Sequence, residues 1–257
     1  MDQRVVLQDG VPQADGQVTL DADDRTFLLG CGVFETLRTY GGVLYGMDAH
    51  LARLHSSAQR LGIDFPGVAL LASELQMAAS GIDGEAVVRV TLTHSGRRIV
   101  RASMLQPALQ GYRCVTRQWT PPAWLDGSVK HTSRAHSVLA VEASGADEVL
   151  WVDADGFLLE GTRSNVFGVI DGVFCTPALD GRLLAGVTRS DLLSAAADAG
   201  IATAQRPLHC DAGFDELYLS STLKELSPIS ELDGAAAPGG GLVGQAVSEA
   251  FLARVGR

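Results

Sequence analysis

Two residues of this sequence have the types and spacing that amine chemistry on an aldehyde requires. Lys130 is one of only two lysines in the chain, the other being Lys224. Glu160 follows thirty residues later and opens the string Glu-Gly-Thr-Arg-Ser-Asn, which ends at Asn165. A lysine amine attacks an aldehyde and forms a Schiff base where its surroundings lower its pKa. Most lysines are solvated, so Lys130 alone would also fit a surface position.

The aldehyde cofactor that uses such a lysine is pyridoxal 5'-phosphate, whose ring nitrogen needs an acidic partner. Glu160 can supply that carboxylate and keep the nitrogen protonated. Lys130 would carry the Schiff base and then move protons as general base and acid. We therefore expect Lys130 to be catalytic and Glu160 to bind the cofactor, with a solvated strand-end carboxylate as the alternative for Glu160.

A cofactor phosphate needs several hydrogen-bond donors, and one predicted helix start provides them. Thr188 and Asp191 have the three-residue spacing of a capping box. The backbone N–H groups of Val187 and Thr188 would then point out of a helix N-terminus, where anions bind. This geometry alone predicts an anion site.

Further segments occur in the order that one enzyme family shows. With the Lys130 and Glu160 strings, they resemble the class IV, fold-type IV pyridoxal phosphate enzymes from about Asp24 to about Pro228. That family contains branched-chain aminotransferases, D-amino acid aminotransferases and 4-amino-4-deoxychorismate lyase. The matching segments are Gly30–Arg38, His50–Leu61, Thr176–Pro177, Leu184–Arg189 and Ser220–Pro228.

The resemblance implies a two-domain α+β fold with the cofactor between the domains, and a homodimer. It also implies cofactor contacts at these positions of the sequence: Arg53, Leu184, Val187, Thr188, Ser221 and Thr222. Arg53 is expected in the first turn or so of its helix, with a solvated arginine as the alternative. Leu184 would pack on the ring face, although an ordinary core position would bury it equally.

Arginines are the expected ligands for a substrate carboxylate, because they bind it bidentately. Arg97 and Arg98 lie where related enzymes have a loop that approaches the substrate, but loose arginines on a surface loop fit as well. Arg134 is a third candidate. Phe34 and Thr36 would face the pocket if their segment is a strand, because alternate strand residues share a face.

The subfamily depends on the residues around the lysine. Lys-His-Thr-Ser-Arg at 130–134 looks most like Lys-His-x-Asn-Arg of aminodeoxychorismate lyases, with Ser133 in place of asparagine. Branched-chain aminotransferases carry a tyrosine at the position of Ala135, and residues 89–98 lack a clean Arg-x-His substrate trap typical of D-amino acid aminotransferases.

These comparisons favour a pyridoxal phosphate-dependent lyase of folate biosynthesis, which converts 4-amino-4-deoxychorismate into 4-aminobenzoate and pyruvate. An aminotransferase acting on branched-chain or D-amino acids with a 2-oxo acid acceptor is the alternative. The substrate, the stereochemical face and the oligomeric state stay open at this point.

Strands and helices alternate along the chain in the way that mixed α+β domains do. Asp-Gly pairs predict two hairpin turns, joining 148–152 to 157–159 and 165–170 to 173–175. Periodicity predicts a strand at 86–93 and helices at 51–61, 70–79, 191–199 and 245–255. We expect a smaller N-terminal domain at 1–105, a linker at 106–111, and a larger C-terminal domain at 112–257 that carries the lysine.

Composition excludes several other classes of protein. A net charge of −10 and a pI near 5.0 disfavour nucleic acid as a partner. No apolar run approaches the roughly 18 residues that span a bilayer. The four cysteines and six histidines lack metal-site spacing, so no metal is expected. The N-terminal segment lacks the layout of a signal peptide, which predicts a cytoplasmic protein.

Overall fold

The chain folds into two compact units in the computed structural model, which describes residues 3–121 and 126–256. The first unit comprises Met1–Pro107 and Val129–Arg134, and the second comprises Ala108–Ser128 and Ala135–Arg257. The first division falls within the expected linker at 106–111. The segment carrying Lys130 groups with the first unit, whereas the sequence interpretation placed it in the C-terminal domain.

The first unit is a six-stranded antiparallel sheet covered on one face by two long helices. Its strand order is β2-β1-β6-β5-β3-β4. The elements are β1 (Arg4–Gln8), β2 (Val11–Pro12), α1 (Arg25–Leu29), β3 (Val33–Tyr40), β4 (Val43–Leu44), α2 (Met47–Arg60), α3 (Val68–Ser80), β5 (Ala86–Leu92) and β6 (Arg98–Met104).

Alternation along β3 and β5 separates a core face from an open face. Val33 and Leu37 lie opposite Leu92 and Val88, and all four are buried in one core. The apolar faces of α2 and α3 pack onto this side, as their helical spacing predicts. The helix expected at 51–61 begins earlier, at Met47, and the one expected at 70–79 runs from Val68.

The Lys130 segment is held by the first unit through its backbone. The N–H of Phe34 donates to the Lys130 carbonyl at 3.0 Å, and the Lys130 N–H donates to Ser57 Oγ at 3.2 Å. Val129 is 9% exposed and belongs to the core of this unit. Long-range contacts of this kind leave no periodic signal in the sequence, which explains the different assignment.

The second unit is built on a nine-stranded mixed sheet. Its strand order is β12-β11-β10-β13-β14-β7-β8-β9, with β15 pairing with β14. The elements are β7 (Tyr112–Gln118), α4 (Ala135–Ser144), β8 (Glu148–Val152), β9 (Leu158–Gly161), β10 (Asn165–Ile170), β11 (Val173–Thr176), α5 (Val187–Asp198), β12 (Thr203–Gln205), β13 (Glu216–Ser221), β14 (Glu225–Leu232), β15 (Ala235–Ala236) and α6 (Leu242–Arg254).

Both predicted Asp-Gly hairpins are present in this unit, as β8–β9 and β10–β11. In the second, Asp171 and Gly172 have φ values of 52° and 73°. Positive φ at both central residues is the conformation of a type I′ turn, which matches the twist of the flanking strands.

A strand carboxylate caps the C-terminal helix α6. Glu216 accepts the N–H groups of Val243 at 3.0 Å and Gly244 at 2.8 Å, and Tyr218 Oη donates to it at 2.5 Å. Burial raises the pKa of Tyr218, and its bond to Glu216 raises it further. The carboxylate thereby satisfies N–H groups that a helix start leaves without intrahelical partners.

No helix in the part of the chain that the structure describes is long and apolar enough to cross a membrane. The four cysteines are free thiols. His209, Cys210 and Asp211 are consecutive and bring possible metal-ligand atoms within 4.8 Å of one another.

Candidate active site

Lys130 lies beside an aromatic ring of the first unit. Its Nζ is 4.9 Å from the ring centroid of Phe34, and the lysine is half-buried. Phe34 itself is 8% exposed. An ammonium at this distance is attracted by the π-face of the ring. The backbone bonds of Lys130 and this ring together define where the amine lies.

The same ring carries an arginine. Thr36 on β3 lies directly opposite Arg89 on β5, so Phe34, Thr36 and Arg89 occupy the open face of the sheet. The Arg89 Cζ is 3.6 Å from the ring centroid of Phe34. The expected strand therefore exists and places Phe34 and Thr36 on one face, with an arginine that the sequence interpretation did not select.

Arg89 is surrounded by positive charge. Burial lowers its pKa most, Arg134 and Arg101 lower it further, and Glu35 opposes them. Among the residues that the structure describes, no carboxylate forms an ion pair with the Arg89 guanidinium. A half-buried guanidinium with cationic neighbours favours an anionic ligand. The alternation of Arg89 with Val88 and Val90 was the available sequence signal.

On the core face of the sheet, Glu35 binds Arg53. Arg53 Nε donates to Glu35 Oε1 at 2.6 Å and one of its terminal nitrogens donates to Oε2 at 2.8 Å. His50 Nδ1 donates to Oε2 at 2.8 Å. The Glu35 side chain is 0% exposed, that of His50 is 2% exposed, and that of Arg53 is 13% exposed. Arg53 lies in the second turn of α2, because the helix begins at Met47.

The Glu35 carboxylate is ionised despite its burial. Burial alone would raise the pKa of Glu35, but the charge of Arg53, the hydrogen bonds of His50 and Arg53, and the charge of Lys130 lower it to about 2. The sequence interpretation missed Glu35 and His50. Glu35 shares the core-side alternation of Val33 and Leu37, so a carboxylate there requires a buried cation.

Arg97 and Arg98, expected at the substrate, already have carboxylate partners. A terminal nitrogen of Arg98 lies 2.9 Å from Glu74 Oε1, and one of Arg97 lies 3.1 Å from Asp9 Oδ2. Hydrogen bonding to Glu74 raises the pKa of Arg98. These ion pairs join β6 to α3 and to the β1–β2 turn, which gives both arginines a structural role. Arg134 instead lies close enough to Arg89 to lower its pKa.

In the second unit, the Leu184 backbone binds the Glu160 carboxylate. The Leu184 N–H donates to Glu160 Oε2 at 3.0 Å, and Asn165 Nδ2 approaches the same oxygen at 3.5 Å. Asn165 Nδ2 also donates to the Leu184 carbonyl at 2.9 Å. These contacts fix the Glu160 carboxylate and bring the Leu184 segment against the start of β10.

The predicted helix is present, but it begins one residue earlier than expected. Helix α5 starts at Val187 with Gly186 as its N-cap, and Gly186 makes no side-chain cap. Thr188 therefore lies inside the first turn and is not the N-cap that the sequence predicts. The first N–H groups of a helix have no intrahelical partners, so they suit an anion. A Cβ on Gly186 would lie 2.1 Å from Asn165 Oδ1.

The Ser221-Thr222 turn begins at the same end of the sheet as Asn165. Strand β13 pairs with β10 so that Ser220 lies opposite Asn165, and Ser221 follows. Ser220 Oγ is buried, and within the described ranges it has no hydrogen-bond partner. One end of this sheet thus gathers a carboxylate, an uncapped helix start and a hydroxyl-rich turn. This donor set fits a phosphate, and Glu160 fits a protonated ring nitrogen.

Comparisons with known proteins place these observations in a family. A model of the amino-transferase class IV family matches residues 32–232. A putative branched-chain-amino-acid aminotransferase of Methanocaldococcus jannaschii is 32% identical over 235 residues, which cover 82% of each chain. The D-alanine aminotransferase of Bacillus licheniformis is 28% identical over 252 residues, covering 89% of this chain and 88% of that protein.

The chain belongs to the class IV aminotransferases. A solved branched-chain aminotransferase of Thermoproteus uzoniensis superposes with a TM-score of 0.90 at 25% identity, covering 99% of this chain and 95% of that one. A hypothetical aminotransferase of Mycobacterium tuberculosis, solved in its pyridoxal phosphate-bound form, superposes with a TM-score of 0.89 at 25% identity, covering 98% of this chain and 99% of that one.

Membership of this family confirms the α+β, fold-type IV prediction and the cofactor, because class IV aminotransferases use pyridoxal 5'-phosphate. It does not confirm the lyase. The curated relatives are named branched-chain and D-alanine aminotransferases, which agree with the alternative in the sequence interpretation.

Proposed function

We propose that the protein is an aminotransferase that moves the amino group of an amino acid to a 2-oxo acid. One observation carries the proposal: the Lys130 amine and the Arg89 guanidinium both lie against the Phe34 ring. A substrate bearing an amino group and a carboxylate offers a partner to each of them. The names of the relatives support the same reaction and rank it above the lyase.

Eight residues are proposed to hold the cofactor, on the resemblance to the family. When bound, pyridoxal phosphate supplies an electron sink that stabilises negative charge at the substrate α-carbon. Glu160 would face the ring nitrogen and Leu184 the ring, while the phosphate would take its donors from the helix start, the hydroxyl turn and one arginine. The proposed set is Arg53, Lys130, Glu160, Leu184, Val187, Thr188, Ser221 and Thr222.

Residues of the chain would transfer the proton, bind the substrate carboxylate and orient Arg53. Lys130 would take the proton from the substrate α-carbon and hold it as an ammonium. Arg89 would bind a substrate carboxylate, and Phe34 would keep the amine and the guanidinium at fixed positions. Glu35 would orient Arg53, because it binds the guanidinium from the core face, and His50 would hold the Glu35 carboxylate.

One assay separates the proposed reaction from the lyase. The purified holoenzyme is incubated with a panel of L- and D-amino acids, with and without 2-oxoglutarate, and separately with 4-amino-4-deoxychorismate alone. We expect turnover only when an amino acid and a 2-oxo acid are both present. Release of 4-aminobenzoate and pyruvate without any 2-oxo acid would overturn the proposal in favour of the lyase suggested by Lys-His-Thr-Ser-Arg at 130–134.

We also propose a homodimer, on the resemblance to the family. Light scattering coupled to size-exclusion chromatography measures this directly. A mass corresponding to one 27.0 kDa chain would contradict it.

A further inference from the structure

A second buried carboxylate lies in the second unit, away from any role assigned above. Glu148 on β8 is 0% exposed and accepts hydrogen bonds from three side chains. Lys224 Nζ donates to Oε2 at 2.8 Å, Ser164 Oγ donates to the same oxygen at 3.1 Å, and Thr162 Oγ1 donates to Oε1.

The charge of Lys224 stabilises the carboxylate form of Glu148. Burial alone would raise the pKa of Glu148, but the charge and hydrogen bond of Lys224 lower it, with help from Thr162 and Arg163. The Lys224 side chain is only 10% exposed, and its Nζ is 5.2 Å from the Tyr112 ring centroid. Buried ion pairs contribute little net stability relative to apolar residues, so stability alone does not account for this pair.

The donors to Glu148 come from two turns that carry proposed cofactor ligands. Thr162 and Ser164 lie in the turn between Glu160 and Asn165. This turn packs closely on the carboxylate, because a Cβ on Gly161 would lie 2.4 Å from the hydroxyl of Ser164 and 3.3 Å from Glu148 Cδ.

The second turn is the one that follows Ser221 and Thr222. The backbone N–H of Lys224 donates to the Ser221 carbonyl at 3.2 Å, and Ser227 Oγ donates to the Lys224 carbonyl at 2.6 Å. The backbone of this turn therefore follows the position at which Glu148 holds the Lys224 side chain. Displacement of Lys224 would displace the hydroxyls of Ser221 and Thr222.

We propose that Glu148 and Lys224 are a positioning pair, which fixes the Ser221-Thr222 turn relative to the Glu160–Asn165 turn and thereby sets the affinity for the cofactor's phosphate. This rests on the proposed function, which places the phosphate at Ser221 and Thr222. Neither residue of the pair needs to contact the cofactor.

The test compares two probes on the apoprotein: pyridoxal 5'-phosphate and pyridoxal, which lacks the phosphate. Dissociation constants for both are measured by titration for the wild type, Lys224→Met, Lys224→Arg and the double variant Glu148→Gln/Lys224→Met. The double variant leaves no uncompensated buried charge, so it stays informative if Lys224→Met does not fold.

In Lys224→Met and in the double variant, we expect the preference for pyridoxal phosphate over pyridoxal to fall roughly tenfold or more, as loss of one good phosphate contact does. Lys224→Arg should recover part of that preference. Glu216→Gln is the matched control, because it removes a buried carboxylate of the same unit that caps α6. It should lower stability while leaving the ratio of the two constants unchanged.

A structural role alone would weaken the binding of both probes equally. Such a result in the double variant overturns the positioning role. Thr222→Ala distinguishes a failure of the positioning role from a failure of the phosphate placement in the proposed function. If Thr222→Ala lowers the ratio and the pair variants do not, only the positioning role is wrong. If Thr222→Ala and Ser221→Ala leave the ratio unchanged, the phosphate does not lie at this turn. The phosphate placement and the positioning role then both fail, while the proposed reaction is still decided by the assay with and without a 2-oxo acid.

Discussion

At the scale of single residues, strand β3 separates two kinds of charge recognition. Phe34 points to the open face, where it meets Lys130 and Arg89. Its neighbour Glu35 points to the core, where it binds Arg53 and His50. Adjacent strand residues point to opposite faces. The charge of Lys130 nevertheless lowers the pKa of Glu35, so the reactive amine acts on both neighbours of this strand.

The identity of the Schiff-base lysine can be tested because the chain has only two lysines. Lys130→Ala should lose the visible absorption of the bound cofactor completely, since the one other lysine, Lys224, pairs with Glu148. Lys224→Arg keeps the ion pair with Glu148 and should retain that absorption. After borohydride reduction, peptide mapping should find the label on Lys130. A label on Lys224 would contradict the assignment.

Arg89→Met tests carboxylate recognition. Because no carboxylate in the described part of the chain pairs with Arg89, its removal should leave the fold intact and act on substrate binding. We expect kcat/KM for amino acids to fall by an amount equivalent to about 2–4 kcal/mol, mostly through KM.

Arg97→Met is the control for that experiment, since Arg97 pairs with Asp9 and is 45% exposed at its side chain. Its effect on kcat/KM should stay within about 0.5 kcal/mol. If Arg97→Met lowers kcat/KM and Arg89→Met does not, the substrate carboxylate binds at the loop before β6 and the assignment to Arg89 is wrong.

At the scale of elements, helix α2 and the start of α5 show how residue spacing in the sequence positions the side chains of the candidate site. The apolar spacing of α2 predicts its buried face, and the same winding places His50 and Arg53, three residues apart, on one side toward Glu35. At α5, the spacing of Thr188 and Asp191 predicts a helix start but misplaces its cap. Gly186 is the cap because Asn165 leaves no room for a Cβ.

The contact between β3 and α2 should make stability depend on acid pH. The pKa of Glu35 is lowered from 4.5 to about 2, so its ionisation stabilises the folded unit fully above pH 4.5. That contribution should be lost as the pH falls from 4.5 toward 2, because the unfolded chain then binds the proton more tightly.

Glu35→Gln should remove this part of the pH dependence in urea unfolding followed from pH 2 to 7. At neutral pH it leaves Arg53 without its partner carboxylate, so we expect a loss of about 3–5 kcal/mol. Asp198→Asn is a control, since its ion pair with Arg254 is largely exposed. Unchanged acid unfolding in Glu35→Gln would rule out Glu35 as the source.

At the scale of the whole molecule, the sequence predicts the features that depend on neighbouring residues. It does not predict the features that depend on contacts between residues far apart in the chain. Hairpins, alternation along β3 and the string from Glu160 to Asn165 are local, and the structure contains them. The partner of Arg98 is Glu74 on another element, and no spacing reveals that pair. The Lys130 segment, which follows the first residues of the second unit, nevertheless completes the first unit.

The grouping of the Lys130 segment with the first unit can be tested by hydrogen exchange. The Lys130 N–H and carbonyl bond to Ser57 and Phe34, so the segment should open with the first unit in hydrogen exchange. Leu54→Ala and Leu192→Ala remove matched, fully buried leucines from α2 and α5, each at a cost of about 2–5 kcal/mol. Leu54→Ala should speed exchange at residues 129–134 and leave β10 and β13 protected, whereas Leu192→Ala should do the reverse. Faster exchange at 129–134 in Leu192→Ala but not in Leu54→Ala would assign the lysine to the second unit, as the linear order of the sequence first suggested.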